Sequence, residues 1–251
     1  LSTHRVKGKG GRALKREIIR ITLCICFVVG ITLMEARRIL PASSLDGGED
    51  GPTLILDAGH GGEDGGAVSA AGNKESEINL AIVLKLESLM AFLGVPTVLT
   101  RREDISLHEV GCKTLREKKT SDLKQCVSIV NETTNAMLIS VHQNYFTDAR
   151  YSGAQVFFHL GDVSRQWGNT TQQALRQVLD ENNQRDASLL TSSVYLFEHI
   201  TCPAILVECG FLSNGEEASL LVTDAYQRKV AVALAGAYCQ ELRLLNYVGG
   251  T

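Results

Sequence analysis

Six short apolar runs punctuate the chain, at residues 53–57, 96–100, 136–141, 154–158, 193–197 and 204–207, and each has the length of a buried strand. Between them the spacing of apolar positions lengthens to three and four. Ile78, Ile82, Leu86, Leu89 and Leu93 fall on one helical face, and Leu123, Val127 and Val130 on another, with Ser121 as its expected N-cap. Residues 165–182 and 224–243 read as two further helices, the last carrying Val230, Leu234 and Ala237 on one side. Strands alternating with helices predict an α/β fold: a single domain with a mostly parallel central sheet of about six strands and helices on both faces. The short link between 136–141 and 154–158 leaves the direction of that pair open.

In an open sheet of this kind, sites form beyond the carboxyl ends of the strands. Three chemistry-bearing residues fall there. His60 follows Leu54-Ile55-Leu56, His142 follows Met137-Leu138-Ile139, and Glu208 follows Ile205-Leu206-Val207. A fourth, Glu75, opens the first long helix, and the Gly-rich loop 58–74 between it and His60 has the freedom to fold over the rim. Two imidazoles and a carboxylate, with one position left to water, are the ligand set of a hydrolytic zinc site. A second carboxylate beside it is the proton shuttle such chemistry needs. Spacing alone does not separate Glu75 from Glu77, Glu63 or Asp64 as the ligand. A phosphate-binding role for 59–66 fails, because the Lys and Ser/Thr of a P-loop are missing. Asp57 is the expected acceptor for a ligand imidazole's far N–H, and Asp64 is expected only to fix the loop. The competing role for Glu208 is a buried ion pair with Arg101 or Arg185.

Charge divides the chain unevenly. Residues 1–44 hold nine of the 25 Lys/Arg and two of the 28 Asp/Glu, leaving a net charge of −10 on residues 45–251. An acidic body excludes a nucleic-acid binder. Seven basic residues, from Arg5 to Arg20, precede an apolar run from Ile21 to Met34. Residues 1–44 therefore read as a basic signal peptide or membrane anchor, residues 45–52 as a linker, and the protein as extracytoplasmic, secreted or tethered by that segment. Five of the seven cysteines lie beyond it. Cys112 and Cys126 are one possible bridge; buried small side chains are the default. Cys209 is discounted as a nucleophile, because a strand residue beside Glu208 faces the opposite way.

Four blocks carry a family resemblance: Leu54 to Ala67 (LILDAGHGGEDGGA), Glu75 to Leu80 (ESEINL), Ser140 to Asn144 (SVHQN) and Pro203 to Asn214 (PAILVECGFLSN). Over residues 53–243 the chain resembles the zinc-dependent N-acetylmuramoyl-L-alanine amidases of the amidase type 3 family. The resemblance implies zinc held by His60, Glu75 and His142, with Glu208 catalytic, and it selects Glu75 over Glu77 because Asn79 and Leu80 fix the register. It implies peptidoglycan as substrate, cut between the lactyl group of muramic acid and L-alanine. Lys113 to Leu123 and Tyr151 to Phe157 are similar to the germination-specific amidases, which act on spore cortex on the way to muramic-δ-lactam. Gln143 and Tyr145 depart from the family pattern, where small residues stand, and are expected to reshape the groove. The rival readings are another zinc peptidase and a non-catalytic wall-binding scaffold. Residues 244–251 are left as a C-terminal tail, and a protein partner or dimer is left open.

Overall fold

The computed structural model of the chain describes residues 51–249, so the expected signal or anchor at 1–44 and most of the 45–52 linker lie outside the described residues. In chain order the elements are β1 (Thr53–Ala58), α1 (Glu75–Phe92), β2 (Thr97–Leu99), α2 (Leu115–Glu132), β3 (Ala136–Asn144) and β4 (Gln155–Phe158). Then follow α3 (Asp162–Leu179), β5 (Ser188–Leu189), α4 (Tyr195–Glu198), β6 (Ala204–Phe211), α5 (Gly215–Leu221) and α6 (Asp224–Gly249). The strands form one six-stranded sheet in the order β2-β1-β3-β6-β4-β5. From β2 to β6 neighbours run parallel; β4 is antiparallel to β6, and β5 is parallel to β4. The β3–β4 link is too short for a helical crossover. The chain therefore turns back, and β6 slots between the two strands.

Alternation along the strands separates the two faces of the sheet. Ile55, Leu138 and Leu206 pack with Cys126 and Val130 of α2 and with Leu196 and Phe197 of α4. The opposite face, with Leu54, Leu56, Ile139, Ile205 and Val207 shut from solvent, lies against α1 and α3, and α6 packs on both of these helices. Asp57, Ser140, His142 and Glu208 share the parity of the α2/α4 face. That face is the more thinly covered one, and a cavity of about 390 Å³ runs along it between α2 and α4.

Several sequence expectations shift. The run 193–197 is not a strand: residues 195–198 form α4, and the fifth strand is the two-residue β5 upstream. Leu196, Phe197 and Ile200 all bury into one core cluster, a spacing a helical turn satisfies and a strand does not. The N-cap of α2 is Thr114 rather than Ser121. Thr114 and Glu117 form a reciprocal capping box, while Ser121 lies within the helix and its Oγ accepts from the Glu109 N–H at 3.0 Å. The last helix continues to Gly249, past 243 and into the expected tail. His142 and Glu208 lie inside β3 and β6 rather than beyond them, because the ladder runs on past each apolar run, as far as Asn144 and Phe211. Cys112 and Cys126 are both free thiols, so no bridge joins them. Among the described residues, no helix is long and apolar enough to cross a membrane.

Loss of the capping box should be measurable. Thr114→Ala is expected to cost about 1 kcal/mol, read as a lower urea midpoint at unchanged m-value.

Candidate active site

β1 ends in a tight approach. A Cβ on Gly59 would lie 2.1 Å from His142 Cε1, so only glycine lets the chain pass the imidazole. His60 then adopts φ 62°, in the left-handed region. A non-glycine residue holds that conformation at a cost of about 1–3 kcal/mol unless its surroundings fix it. Here they do: Gly61 and Asp64 pair across a small turn, N–H to O at 2.8 Å, and His60 Nδ1 lies 3.1 Å from Asp64 Oδ2. The loop closes back on α1 at Gly66, where a Cβ would fall 2.6 Å from Glu75 Oε2.

Glu75 opens α1 with its side chain turned inward, 3% exposed. Both carboxylate oxygens are taken. Oε2 faces His60 Nε2 at 3.3 Å and accepts the Ala67 N–H at 2.9 Å. Oε1 lies 2.9 Å from His142 Nδ1 and accepts the Gln143 N–H at 3.0 Å. The two imidazole rings meet edge to face with centroids 5.1 Å apart. Ligand atoms from His60, Glu75 and His142 all fall within 4.8 Å of one another, a geometry able to hold a metal ion. Tetrahedral zinc with bonds of 2.0–2.1 Å separates its donors by about 3.3 Å, close to the 3.3 Å between His60 Nε2 and Glu75 Oε2.

Glu208 sits directly across the ladder from His142, and directly paired residues project from the same face. The register slips between His142 and Asn144, an irregularity of the kind that re-aims side chains beside active sites. Glu208 Oε2 is shut from solvent and has no hydrogen-bond partner. Neither rival partner reaches it. Arg101 spends its guanidinium on the carbonyls of Ala58, Gly59, Ser76 and Glu103, and Arg185 turns to Ser152 and Gln155.

The two carboxylates are pushed apart in proton affinity. For Glu75, burial favours the neutral acid, but hydrogen bonds to His142 and His60 outweigh it and hold the pKa far below the usual carboxylate range. For Glu208, burial dominates, the Glu75 charge adds to it, and the pKa rises to about 7. His142 moves upward to about 9: burial opposes its protonation, and the bond to Glu75 with the charge of Glu208 overcomes that.

The second tier of contacts differs from expectation. Asp57 accepts from Thr100 Oγ1 at 2.8 Å and Ser140 Oγ at 2.6 Å, not from an imidazole, because at the end of β1 it faces two hydroxyls on neighbouring strands. Asp64 takes the imidazole role, and Lys119 Nζ lies 3.0 Å from the same oxygen, Oδ2. Gln143 does not shape the groove. It is 3% exposed, and its amide donates to Asn79 Oδ1 at 3.0 Å. Tyr145 is exposed at the rim. Asn79 was legible only as a register mark. In the fold its Nδ2 donates to Gly59 O at 3.0 Å and lies 3.4 Å from Glu75 Oε1, tying the helix to the end of β1. Its place one turn after an inward-facing acid was the available signal. Arg101, 5% exposed, was likewise missed as the clamp across β1 and α1.

A parallel sheet with a His–Glu–His donor set at its carboxyl rim, and an unpaired carboxylate beside it, defines the class of metal-dependent α/β hydrolases. The chain belongs to the N-acetylmuramoyl-L-alanine amidase family, whose sequence pattern matches residues 54–239. It is 35% identical over 187 residues to the germination-specific N-acetylmuramoyl-L-alanine amidase of Bacillus subtilis, covering 73% of this chain and 77% of that one. Among solved structures it is similar to the CwlD amidase of Clostridioides difficile, determined in complex with the GerS lipoprotein. That match has 37% identity and a TM-score of 0.74, and covers 77% of this chain and 99% of that one. The AmiA amidase of Escherichia coli is more distant, 26% identical over 275 residues, covering 88% of this chain and 89% of that one.

The raised Glu208 pKa carries a pH signature. A carboxyl at about 7 in the fold and in the ordinary range when unfolded adds stability at low pH and loses it as pH rises through 7. In metal-free protein, Glu208→Gln should therefore gain about 3 kcal/mol relative to the parent between pH 4 and pH 8. Denaturant unfolding at the two pH values measures it; a difference independent of pH would contradict the burial argument.

Proposed function

We propose that this protein is a zinc-dependent N-acetylmuramoyl-L-alanine amidase of spore cortex, removing stem peptides on the route to muramic-δ-lactam. In this reading His60, Glu75 and His142 hold the zinc and Glu208 is the catalytic acid/base. The protein works outside the cytoplasm, exported or tethered through residues 1–44. The observation that carries the reading is the convergence of three donor groups within 4.8 Å, with Glu208 paired across the ladder from one of them. Two nitrogens and one oxygen suit zinc, which takes three protein ligands in hydrolytic sites. The similarity to a germination-specific amidase supports the cortex role. The GerS complex of the CwlD amidase supports an accessory lipoprotein as a partner here too.

Zinc held by His60, Glu75 and His142 would supply Lewis acidity to a water and to the scissile carbonyl. The chain's own residues do the rest. Asp64 fixes His60 through Nδ1, which leaves Nε2 turned to Glu75. The saturated Glu75 carboxylate stays ionised. Glu208, whose proton affinity lies near neutrality, takes the water proton and returns it to the leaving nitrogen of L-alanine. The amide C–N bond breaks without a covalent enzyme intermediate.

Zinc-loaded protein given cortex peptidoglycan should release new L-alanine amino groups; muropeptide masses showing intact muramoyl-peptides would end the proposal. Chelation should abolish the reaction and added zinc restore it. Glu208→Ala should bind zinc as the parent does and lose about 10²- to 10⁴-fold in kcat.

A further inference from the structure

Exposed aromatic side chains are unevenly placed in this protein. Among the described residues, the large exposed aromatics are Phe92, Tyr145, Phe146 and Tyr151. Three of these four follow β3, within nine residues of His142. Phe146 and Tyr151 meet edge to face with centroids 4.9 Å apart, and Tyr151 stacks over Phe211 at 6.3 Å and 28°. Arg185 completes the group, its Cζ 4.7 Å from the Phe211 ring centroid.

This shelf is joined to the catalytic carboxylate through one residue. Gln155 of β4 lies directly opposite Glu208 of β6, on the same face of the sheet. Arg185 Nη1 donates to Gln155 Oε1 at 2.9 Å, and its Nε donates to Ser152 O at 2.8 Å. Arg185 is half-buried, and these two bonds use two of the five N–H donors of its guanidinium. The underside is fixed: Glu217 accepts the Gly153 N–H at 2.9 Å and the Phe211 N–H at 2.8 Å. These bonds anchor the backbone at Phe211 and at the turn after Tyr151.

We propose that this shelf is the glycan subsite, on which the pyranose ring of the muramic acid unit, or its neighbour along the strand, stacks while its hydroxyl or N-acetyl oxygen accepts from Arg185. The proposal rests on the amidase reading above and adds a direction to it. The scissile amide joins a sugar to a peptide, so the two sides of Glu208 and the donor cluster must receive different chemistry. On one side lies the α2/α4 cavity, whose lining mixes the acids Asp57, Asp64, Asp122 and Glu198 with the bases Arg101 and Lys119, a setting for the charged and amide groups of a stem peptide. On the other lies an aromatic shelf with the Arg185 guanidinium beside it. A sugar ring is neutral, presents flat C–H faces and carries oxygen acceptors at its edge, and it matches the shelf. Large rigid aromatics beside a few placed polar groups are the usual make-up of a small-ligand site. Tyr145, a departure from the family pattern, is exposed on the same β3–β4 link.

The test separates binding from turnover. Peptide-free glycan oligomers of alternating N-acetylglucosamine and N-acetylmuramic acid, and separately free stem peptide, are titrated as inhibitors of the zinc-loaded full chain. The glycan should inhibit the parent competitively. Tyr151→Ala and Phe146→Ala, both at exposed positions, should weaken that inhibition about three- to tenfold. The same variants should raise KM for cortex strands with little change in kcat, and leave stem-peptide inhibition unaltered. Arg185→Lys should retain part of the glycan affinity, and Arg185→Met should lose it. Glycan inhibition unchanged in both aromatic variants overturns the proposal, as does inhibition by stem peptide alone with the variants weakening that instead. A failure of the amidase reading looks different: the parent then releases no L-alanine amine from any substrate.

Discussion

Glu75 is the constraint on which the site depends. A carboxylate 3% exposed would be untenable in this interior without partners, and it has them on both oxygens. The partners come from three places: His60 and Ala67 from the loop, Asn79 from the same helix, and His142 with the Gln143 N–H from β3. Each is also one of the groups that locates the site. The helix start, the loop path and the end of β3 are thereby fixed by a single charge. The close approaches at Gly59 and Gly66 follow from the same requirement, since a side chain at either would push an imidazole or the carboxylate out of place.

Two acids with similar intrinsic chemistry are given opposite tasks by their neighbours. Glu75 is surrounded by donors and stays charged, which suits a ligand. Glu208, on a strand between apolar residues, has no donor for Oε2 and is pushed to about 7, which suits a group that must both take and give a proton. The same division recurs one tier out. Asp57 and Asp64 flank one loop, yet only Asp64 meets an imidazole, because Asp57 is already engaged by Thr100 and Ser140.

How much could be read in advance followed from how local each cause is. The strand runs and the long helices rest on periodicity, and those at 53–57, 136–141 and 204–207 stand in the fold near their expected starts. His60, His142 and Glu208 were legible because each follows an apolar run at the carboxyl end of one of three adjacent strands; Glu75 opens a helix instead, and only the family resemblance separated it from Glu77. What failed to show was set by contacts distant in sequence. The 193–197 run has strand-like composition, and only the core cluster over β1, β3 and β6 makes it a helical turn. Asp57 and Asp64 are equally plausible acceptors until Thr100 and Ser140 are placed. Gln143 looks like a groove residue until the parity of β3 turns it toward Asn79. The α2 cap is a different case, since Thr114 and Glu117 already spell the capping box; the apolar face alone had drawn the start toward Ser121.

The placing of β4 explains why chemistry and recognition fall together. Had the chain crossed over to continue the parallel order, a helix would have covered the edge beside Glu208. Instead the short β3–β4 link carries Tyr145, Phe146 and Tyr151 over the rim, and antiparallel β4 brings Gln155 opposite Glu208. Arg185 then reaches Gln155 from the segment before β5. The one departure from parallel order leaves the site open on that side and furnishes its wall with aromatic and guanidinium groups. The α2/α4 face is open on the other side for an independent reason, the shortness of α4. The cavity reaches His60 and His142, and the shelf reaches Glu208 through β4, so the two approach the site from opposite ends of the strand order.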